Sequence, residues 1–397
     1  MKLLPAAEAR ARMLAAAAPL AAESIPLEAA ARRVLAAGVK AWRDQPPFAA
    51  SAMDGWAVRA ADTPGRLTIA GESAAGHGFA GTLRAGQAVR IFTGAPVPAG
   101  ADAIVIQEDA TREAETVVVP EVDRGRHIRD AGMDFRAGQV LLIVGERLDA
   151  WRLALAAAAG MAEVEVHRRP RVAILATGEE IVAPGREARP DQIFDSGTTA
   201  TAALVSAFGG EPISLPRVGD DEAAIARAVE GADVDLVVTL GGASVGDHDL
   251  VKPALSRLGL ELAVESIAIR PGKPTWFGRL ADGRCVLGLP GNPASAMVCA
   301  ELFLRPLIAR FCGADPALPT VVARSGAPLA ANGPREHWMR ARLSRGADGV
   351  LTATPFADQD SSLVAVFAAA DSLLGRPAHA PRVEAGELVE ILPLARL

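Results

Sequence analysis

The sequence predicts a multidomain protein of α/β plus β architecture, on three observations. The chain has 397 residues, too many for one ordinary core, so two to four domains are expected. Between about residues 169 and 316, apolar runs alternate with helical patterns, which argues for βαβ units in a sheet covered on both faces. Over 46–129 and again over 317–397, short apolar runs are separated by Gly, Pro and Asp, the spacing of small β domains. The expected division is a discontinuous helical and linker domain at 1–45 and 130–168, an inserted small β domain at 46–129, a central three-layer αβα domain at 169–316 and a C-terminal β domain at 317–397.

Taken in order, the first elements are two helices, Ala6 to Ala18 and Ser24 to Ala37, the second starting at a Ser cap with Pro26 and Glu28 in its first turn. From Pro46 to about Arg129, "DGWAVRA", "RLTIAGE", "AVRIFTG", "DAIVIQE" and "ETVVVPE" read as strands. "RLDAWRLALAAAAG", Arg147 to Gly160, returns to helical periodicity and stops at a glycine, which makes the β segment an insertion between helical pieces. After Pro170, "RVAILATG", "EPISLPRV" and "VDLVVTLGG" are strands, alternating with the helices "TTATAALVSAFGG" and "DDEAAIARAVEGA". The helix "DHDLVKPALSRLG" follows, then strands around "LAVESIAI", "PTWFGRL" and "RCVLGLPG", then the long helix "NPASAMVCAELFLRPLIARF". "TVVARS", "HWMRARLS", "VLTATPF" and "ELVEILPL" complete the chain as strands.

Composition excludes several function classes. The hydrophobic share is 50%, mostly Ala, Val and Leu, but only 4% of residues are aromatic: packed layers are accessible and stacking surface is sparse. The formal charge of -6 is spread along the chain with no Lys/Arg block, which sets nucleic acid aside. Glu8, Arg10 and Arg12 interrupt the apolar N-terminus, which reads as an Ala-rich helix and not as a secretory signal. No run approaches the roughly 20 uncharged apolar residues of a membrane span, so no membrane association and a cytoplasmic location are expected. Cys285, Cys299 and Cys312 lack ligand spacing and the six histidines are scattered, so buried thiols are expected and disulfides or zinc are not. Only Lys2, Lys40, Lys252 and Lys273 among 41 basic residues are lysine, and the last two lie beside glycine loops.

Two glycine loops carry the chemical argument. "TLGGASVGDHD", Thr239 to Asp249, has Gly242, Ser244 and Gly246 at the spacing of a hydrolase nucleophile elbow. Asp247, three residues past Ser244, opposes the negative charge that an attacking serine develops; at roughly 4 Å and an effective dielectric near 20, such a contact costs about 4 kcal/mol. The same repulsion disfavours a phosphate unless a cation bridges it, and Mg²⁺ is commonly held by one or two carboxylates with substrate phosphates. Glycines beside acids therefore indicate a metal-bridged phosphate site.

The second loop, "LGLPGNPASAM", ends a strand at Pro290-Gly291-Asn292-Pro293 and feeds a helix, with Asn292 suited to the N-cap and Pro293 to the first helical position. It is either an anion site at a helix end or an ordinary tight turn. "AIRPGKPTW" sets Arg270 and Lys273 between two strands, where they suit an oxyanion or form a solvated hairpin turn. "GHGFAG" matches a dinucleotide fingerprint but has no helix after it, and reads as a turn-rich loop. Acids recur beside glycines at Asp54, Asp134, Glu179, Glu180, Asp220 and Asp221; singly each is a turn or cap residue, Asp220 being the expected N-cap of its helix.

Set side by side, "SAMDGWAV", "RIFTGAPVPAGADAIVIQED", "HIRDAGMDFRAG", "RPRVAILATGEEIV", "GGASVGDHDLVK", "IRPGKP" and "GLPGNPASA" resemble the molybdopterin molybdenumtransferase family, with weaker matches in "REHWMRARL" and "DQDSSL". The resemblance implies an elongated homodimer whose central αβα domain binds molybdopterin, and a reaction inserting molybdenum from molybdate into adenylylated molybdopterin with Mg²⁺, releasing AMP and the molybdenum cofactor. It also implies the molybdopterin adenylyltransferase and recipient molybdoenzymes as protein partners. Carried onto this chain, it implies catalytic roles for Asp54, Asp134, Glu180, Asp220, Asp221, Asp249 and Lys273, and metal contacts by Asp247, Asp249 and Glu180. Ligand contacts are implied for Thr93, Gly94, Thr177, Gly178, Ser196, Gly241, Gly242, Ser244 and Gly246, and for Arg270, Pro290, Gly291, Asn292, Pro293, Arg340, Ser361 and Ser362. The chain departs from the family pattern at Ala50, where Asn is usual, at Trp56, where Tyr is usual, and at Gly197, where Asn is usual.

Overall fold

A computed structural model of the chain describes residues 3–219, 221–241, 250–346 and 348–394. It divides into two compact units, one of Met1–Glu23, Arg32–Ala36 and Glu165–Leu397, the other of Ser24–Ala31 and Ala37–Val164.

The second unit is built on a six-stranded sheet ordered Ala103–Ile106, Gly55–Val58, Gln87–Ile91, Gly65–Ser73, Thr116–Val119, Thr111–Glu113. Each of the five strand runs expected between Pro46 and Arg129 supplies one of its strands. Alternate residues bury opposite faces: Val58, Leu67, Ala88 and Val117 join one core, and Ala57, Val89, Ile91 and Ile104 another. The helix Ala150–Ala158 is capped by Asp149, whose carboxylate accepts from the Arg152 amide at 2.8 Å.

One expected helix is absent. Over Ser24 to Ala37 the chain forms a strand, Ala22–Pro26, and a single 3₁₀ turn, Leu27–Ala29. Pro26 stays extended at ψ 142° and disfavours helical geometry in the residue before it, while Arg32 takes φ 65°, which no helix tolerates. The Ala-rich composition imitates a helix that the backbone does not make.

The first unit carries a sheet ordered Glu211–Ser214, Arg171–Ala176, Leu236–Leu240, Cys285–Leu289, Trp276–Arg279, Glu261–Val264. The first four strands are mutually parallel and the last two are antiparallel to their neighbours. Leu236–Leu240 and Cys285–Leu289 are buried at every residue because helices cover both faces. Val172, Ile174, Val238 and Leu287 face Val205, Phe208 and the helical run from Pro293; Ala173, Leu175, Val237 and Val286 face Ile225, Val229 and Leu255. This is the αβα sandwich expected from the alternating pattern. At Gly288 an added Cβ would overlap the fully buried Trp276 ring, so this close approach requires glycine.

The helix Glu222–Glu230 is capped by Asp221, which accepts from the amides of Ala223 at 2.8 Å and Ala224 at 3.2 Å. The cap is therefore Asp221 and not Asp220, which lies outside the described residues. The long final helix of this region is interrupted: Pro293–Cys299 and Arg305–Phe311 are α-helical, and Ala300–Leu304 between them is a π segment. Pro306 has no N–H to complete the regular ladder, and the wider turn absorbs the break.

The C-terminal strands form a further sheet ordered Ile269–Arg270, Glu336–Arg345, Leu351–Pro355, Val321–Ser325, Leu388–Pro393, Ser372–Arg376, closed by pairing of Glu336–Arg345 with Ser372–Arg376. Closure removes the free edges of the ring. Two elements here escape sequence reading, the strand Ser372–Arg376 and the helix Val364–Ala369. The strand is buried at all five residues and shows no alternation to detect. No helix among the described residues is long and apolar enough to cross a membrane.

Candidate functional site

Strand order reverses beside Arg171–Ala176: the chain returns to one side of it as Glu211–Ser214 and to the other as Leu236–Leu240. In an open parallel sheet, ligands bind outside the carboxyl ends of the strands at such a point. A cleft of about 740 Å³ lies there, lined by the strand ends Thr177-Gly178, Leu240-Gly241 and Pro290-Gly291. The three ends come close because Gly241, at φ 90°, carries no Cβ; one would stand 3.1 Å from the Thr177 carbonyl oxygen.

Pro293 opens the following helix at its first position, as its missing N–H permits. Asn292 occupies the N-cap position without capping through its side chain. Its amide nitrogen instead donates to the Ser361 hydroxyl at 2.7 Å, and the Ala294 amide donates to the Ser361 carbonyl at 3.1 Å. The helix start is thereby tied to the loop that carries Ser361 and Ser362. Asp360 anchors that loop, accepting from the Ser362 hydroxyl at 2.6 Å and its amide at 2.8 Å, bonds that hold the Asp360 carboxyl below its ordinary value.

Glu180 and Ser196 also line the cleft. So do residues that sequence reading did not single out, chiefly Ile193, Phe194, Asp195 and Pro274. Asp195 is 6% exposed, accepts from the Thr198 amide at 2.9 Å and lies 3.4 Å from Arg217 Nε, so its charge is already engaged. Phe194 is 53% exposed, an apolar ring left at the cleft wall.

A second cavity of about 630 Å³ shares Pro274, Pro290 and Asn292 with the first. Arg270, Lys273, Arg335 and His337 supply its basic wall, and Asp358 and Asp360 line it as well. The side chains of Arg270, Lys273 and Arg335 form no ion pair with a described residue. Burial and the nearby guanidinium groups of Arg270, Arg340, Arg335 and Arg376 push His337 down to about 4, so its ring is neutral at physiological pH. Arg270 and His337 were distant in sequence; parallel pairing of Ile269–Arg270 with Glu336–His337 makes them neighbours. "REHWMRARL" contained Arg335 and His337, but nothing in its local pattern said which strand they would meet.

A pH dependence of stability follows from His337. Its folded value lies below the ordinary 6.5, so as pH falls from 6.5 to about 4 the unfolded chain takes a proton that the folded chain resists. The folded state weakens over that window and is unaffected by this ring above it. The apparent melting temperature is expected to fall between pH 7 and pH 4.5, less steeply for His337→Gln; identical slopes for the two proteins would refute the assignment.

Arg340, expected to contact the ligand, is absent from the lining of the second cavity and is instead bonded to Gln359 and Asp360, which do line it. It is 1% exposed, donating through Nε to Gln359 Oε1 at 3.1 Å and through Nη1 to the Asp360 carbonyl at 2.9 Å, while Nη2 has no partner. Asp54, Thr93, Gly94 and Asp134 belong to the other unit. There the Thr93 amide and hydroxyl donate to Asp54 Oδ1 at 2.7 and 2.8 Å and hold that carboxyl below its ordinary value. The Asp134 amide donates to the Gln45 carbonyl at 2.9 Å. Gly242, Ser244, Gly246, Asp247 and Asp249 lie outside the described residues. Among the described residues, no group of three or more His, Cys, Asp or Glu side chains is placed to hold a metal ion.

Comparison with known proteins adds to this geometry. Three family models match in order along the chain: the MoeA N-terminal region, domains I and II, at residues 4–160; a probable molybdopterin binding domain at 173–310; and the MoeA C-terminal region, domain IV, at 322–394. A protein of Mycobacterium tuberculosis H37Rv named molybdopterin molybdenumtransferase 2 is 36% identical over 387 residues, 94% of this chain and 95% of its own length. A molybdopterin molybdenumtransferase of Nostoc sp. is 39% identical over 303 residues, 73% of this chain and 70% of its own. The crystal structure of a molybdopterin biosynthesis MoeA protein from Pyrococcus horikoshii superposes with a TM-score of 0.85 at 32% identity, covering 100% of both chains.

Proposed function

The chain belongs to the molybdopterin molybdenumtransferase family, enzymes that insert molybdenum into molybdopterin, and on that premise we propose that it takes molybdenum from molybdate, acts on adenylylated molybdopterin with Mg²⁺, and releases AMP with the molybdenum cofactor. The observation that carries this reading is the meeting of two cavities at Pro274, Pro290 and Asn292. One is a cleft at a strand-order switch point, roomy enough for an extended ligand. The other presents the basic side chains of Arg270, Lys273 and Arg335, which form no ion pair with a described residue.

The two parts divide the electrostatic problem. A doubly charged oxyanion has to approach a ligand that already carries phosphate groups, and fixed cations lower that repulsion without reorganising. Arg270, Lys273 and Arg335 do this from the second cavity, while the Asn292–Ser361 bond keeps the shared wall in place. Thr177, Gly178, Gly241 and Gly291 leave room for the ligand backbone in the cleft.

The donor chemistry at the cleft suits Mg²⁺: Glu180 is an exposed carboxylate on its wall, and hard cations are commonly held by one or two carboxylates with substrate phosphates. Glu180, with Asp247 and Asp249 outside the described residues, would hold the ion. When bound it neutralises phosphate oxygens and makes AMP a better leaving group. Asp54 and Asp134 are assigned the catalytic part that the family resemblance implies. The same reading makes the protein a cytoplasmic homodimer that receives substrate from the molybdopterin adenylyltransferase and delivers product to molybdoenzymes.

The test is AMP release by purified protein given adenylylated molybdopterin and Mg²⁺, with and without molybdate, and assay of the product by activation of a cofactor-free molybdoenzyme. Molybdate-dependent AMP release with active cofactor is expected. Tight ligand binding without AMP release would replace the transferase reading with a non-catalytic scaffold.

A further inference from the structure

We propose that His337 takes up a proton when a tetrahedral dianion enters the cationic cavity, so that the cavity binds the oxyanion and a proton together. The inference rests on reading that cavity as the molybdate site.

His337 lies on the strand Glu336–Arg345 between two neighbours, paired in register with Arg270 on one side and Arg376 on the other. Arg340 on its own strand acts on the ring through charge, and Arg335, just before that strand, and Lys273, in the turn beyond Arg270, line the same cavity. The acids facing it from the loop at 358–360 are Asp358 and Asp360, and the Asp360 carboxylate is occupied by Ser362. Glu336, next along the strand, accepts from Trp338 Nε1. Cations therefore outnumber free carboxylates around the ring. The ring lines the cavity and forms no hydrogen bond to a described residue. It is held neutral while the cavity holds no anion, with burial and the surrounding guanidinium groups as the cause.

An oxyanion changes both terms. Two negative charges offset most of the surrounding positive charge, and the oxygens offer an acceptor to a protonated ring nitrogen. The imidazole gains a proton from solvent, no other bond forms or breaks, and the proton returns to solvent when the anion leaves. An arginine at this position would carry its charge permanently against four other guanidinium groups. A histidine carries charge only while the anion compensates it.

The test is isothermal titration of the full chain with sodium molybdate between pH 6 and 8, in buffers of different ionisation enthalpy. The wild type is expected to take up close to one proton per anion at the acidic end, with affinity falling by up to about tenfold per pH unit. His337→Gln, which keeps a hydrogen-bonding group of similar reach, is expected to bind molybdate with no proton uptake and a nearly flat pH profile; His337→Asn serves if it does not fold. Binding by the wild type without proton uptake, or uptake retained in His337→Gln, overturns the proposal and leaves the molybdate reading standing. Absence of molybdate binding at every pH overturns both.

Discussion

Replacing Lys273 with methionine is expected to lower molybdate-dependent turnover by about 10²–10³-fold, the usual effect of removing one preorganised charge from a transition state, and to leave thermal stability unchanged. The side chain is exposed on the wall of the second cavity, next to the lining it shares with the switch-point cleft. Its ammonium forms no ion pair with a described residue, so nothing in the fold is left uncompensated when it goes. Methionine keeps the apolar stem and removes the charge. The check is the initial rate of cofactor formation at increasing molybdate, beside a melting curve. Turnover within threefold of wild type would mean that the basic wall does not act on the oxyanion.

Arg340→Met carries the largest expected cost in stability, about 1–3 kcal/mol, because it takes the guanidinium donors away from the Asp360 carbonyl and the Gln359 carboxamide oxygen. Arg340 is fully enclosed and in contact with the loop that bears Ser361. Gln359 returns its amide to the Arg340 carbonyl at 2.9 Å and to the Phe356 carbonyl at 2.9 Å, so one guanidinium and one carboxamide hold the whole turn. Burial lowers the Arg340 value from the ordinary one, against the pull of Asp358 and Asp360. Loss of the guanidinium frees the loop, and with it the Ser361 hydroxyl that Asn292 holds. Denaturant unfolding followed by tryptophan fluorescence measures the cost. A loss below about 1 kcal/mol would show that the loop holds itself without the arginine.

Both predictions concern groups whose importance depends on neighbours far away in the chain, and that is where sequence reading stops. The central strands were legible because a parallel sheet covered on both faces demands unbroken apolar runs, which "RVAILA", "LVVTL" and "CVLGL" supply. The turn Pro290-Gly291-Asn292-Pro293 was legible because proline at the first helical position is a local requirement. Ser24 to Ala37 was misread for the same reason in reverse: alanine content imitates a helix, while Pro26 and Arg32 hold backbone angles that periodicity does not register. Asn292 was placed correctly and its side chain was not, since the Ser361 hydroxyl that claims it lies 69 residues on.

By itself the sequence determined what depends on neighbours along the chain: the βαβ rhythm, the β segments around it, the glycine loops at strand ends, and a set of motifs specific enough to identify the family. Tertiary structure alone decided what depends on register between strands. Arg270, His337 and Arg376 become adjacent because three strands pair at one level. Arg340 becomes a buried strut because the loop after Phe356 folds over it. Charge acts through distance in space, and separation along the chain does not report that distance until the strands have paired.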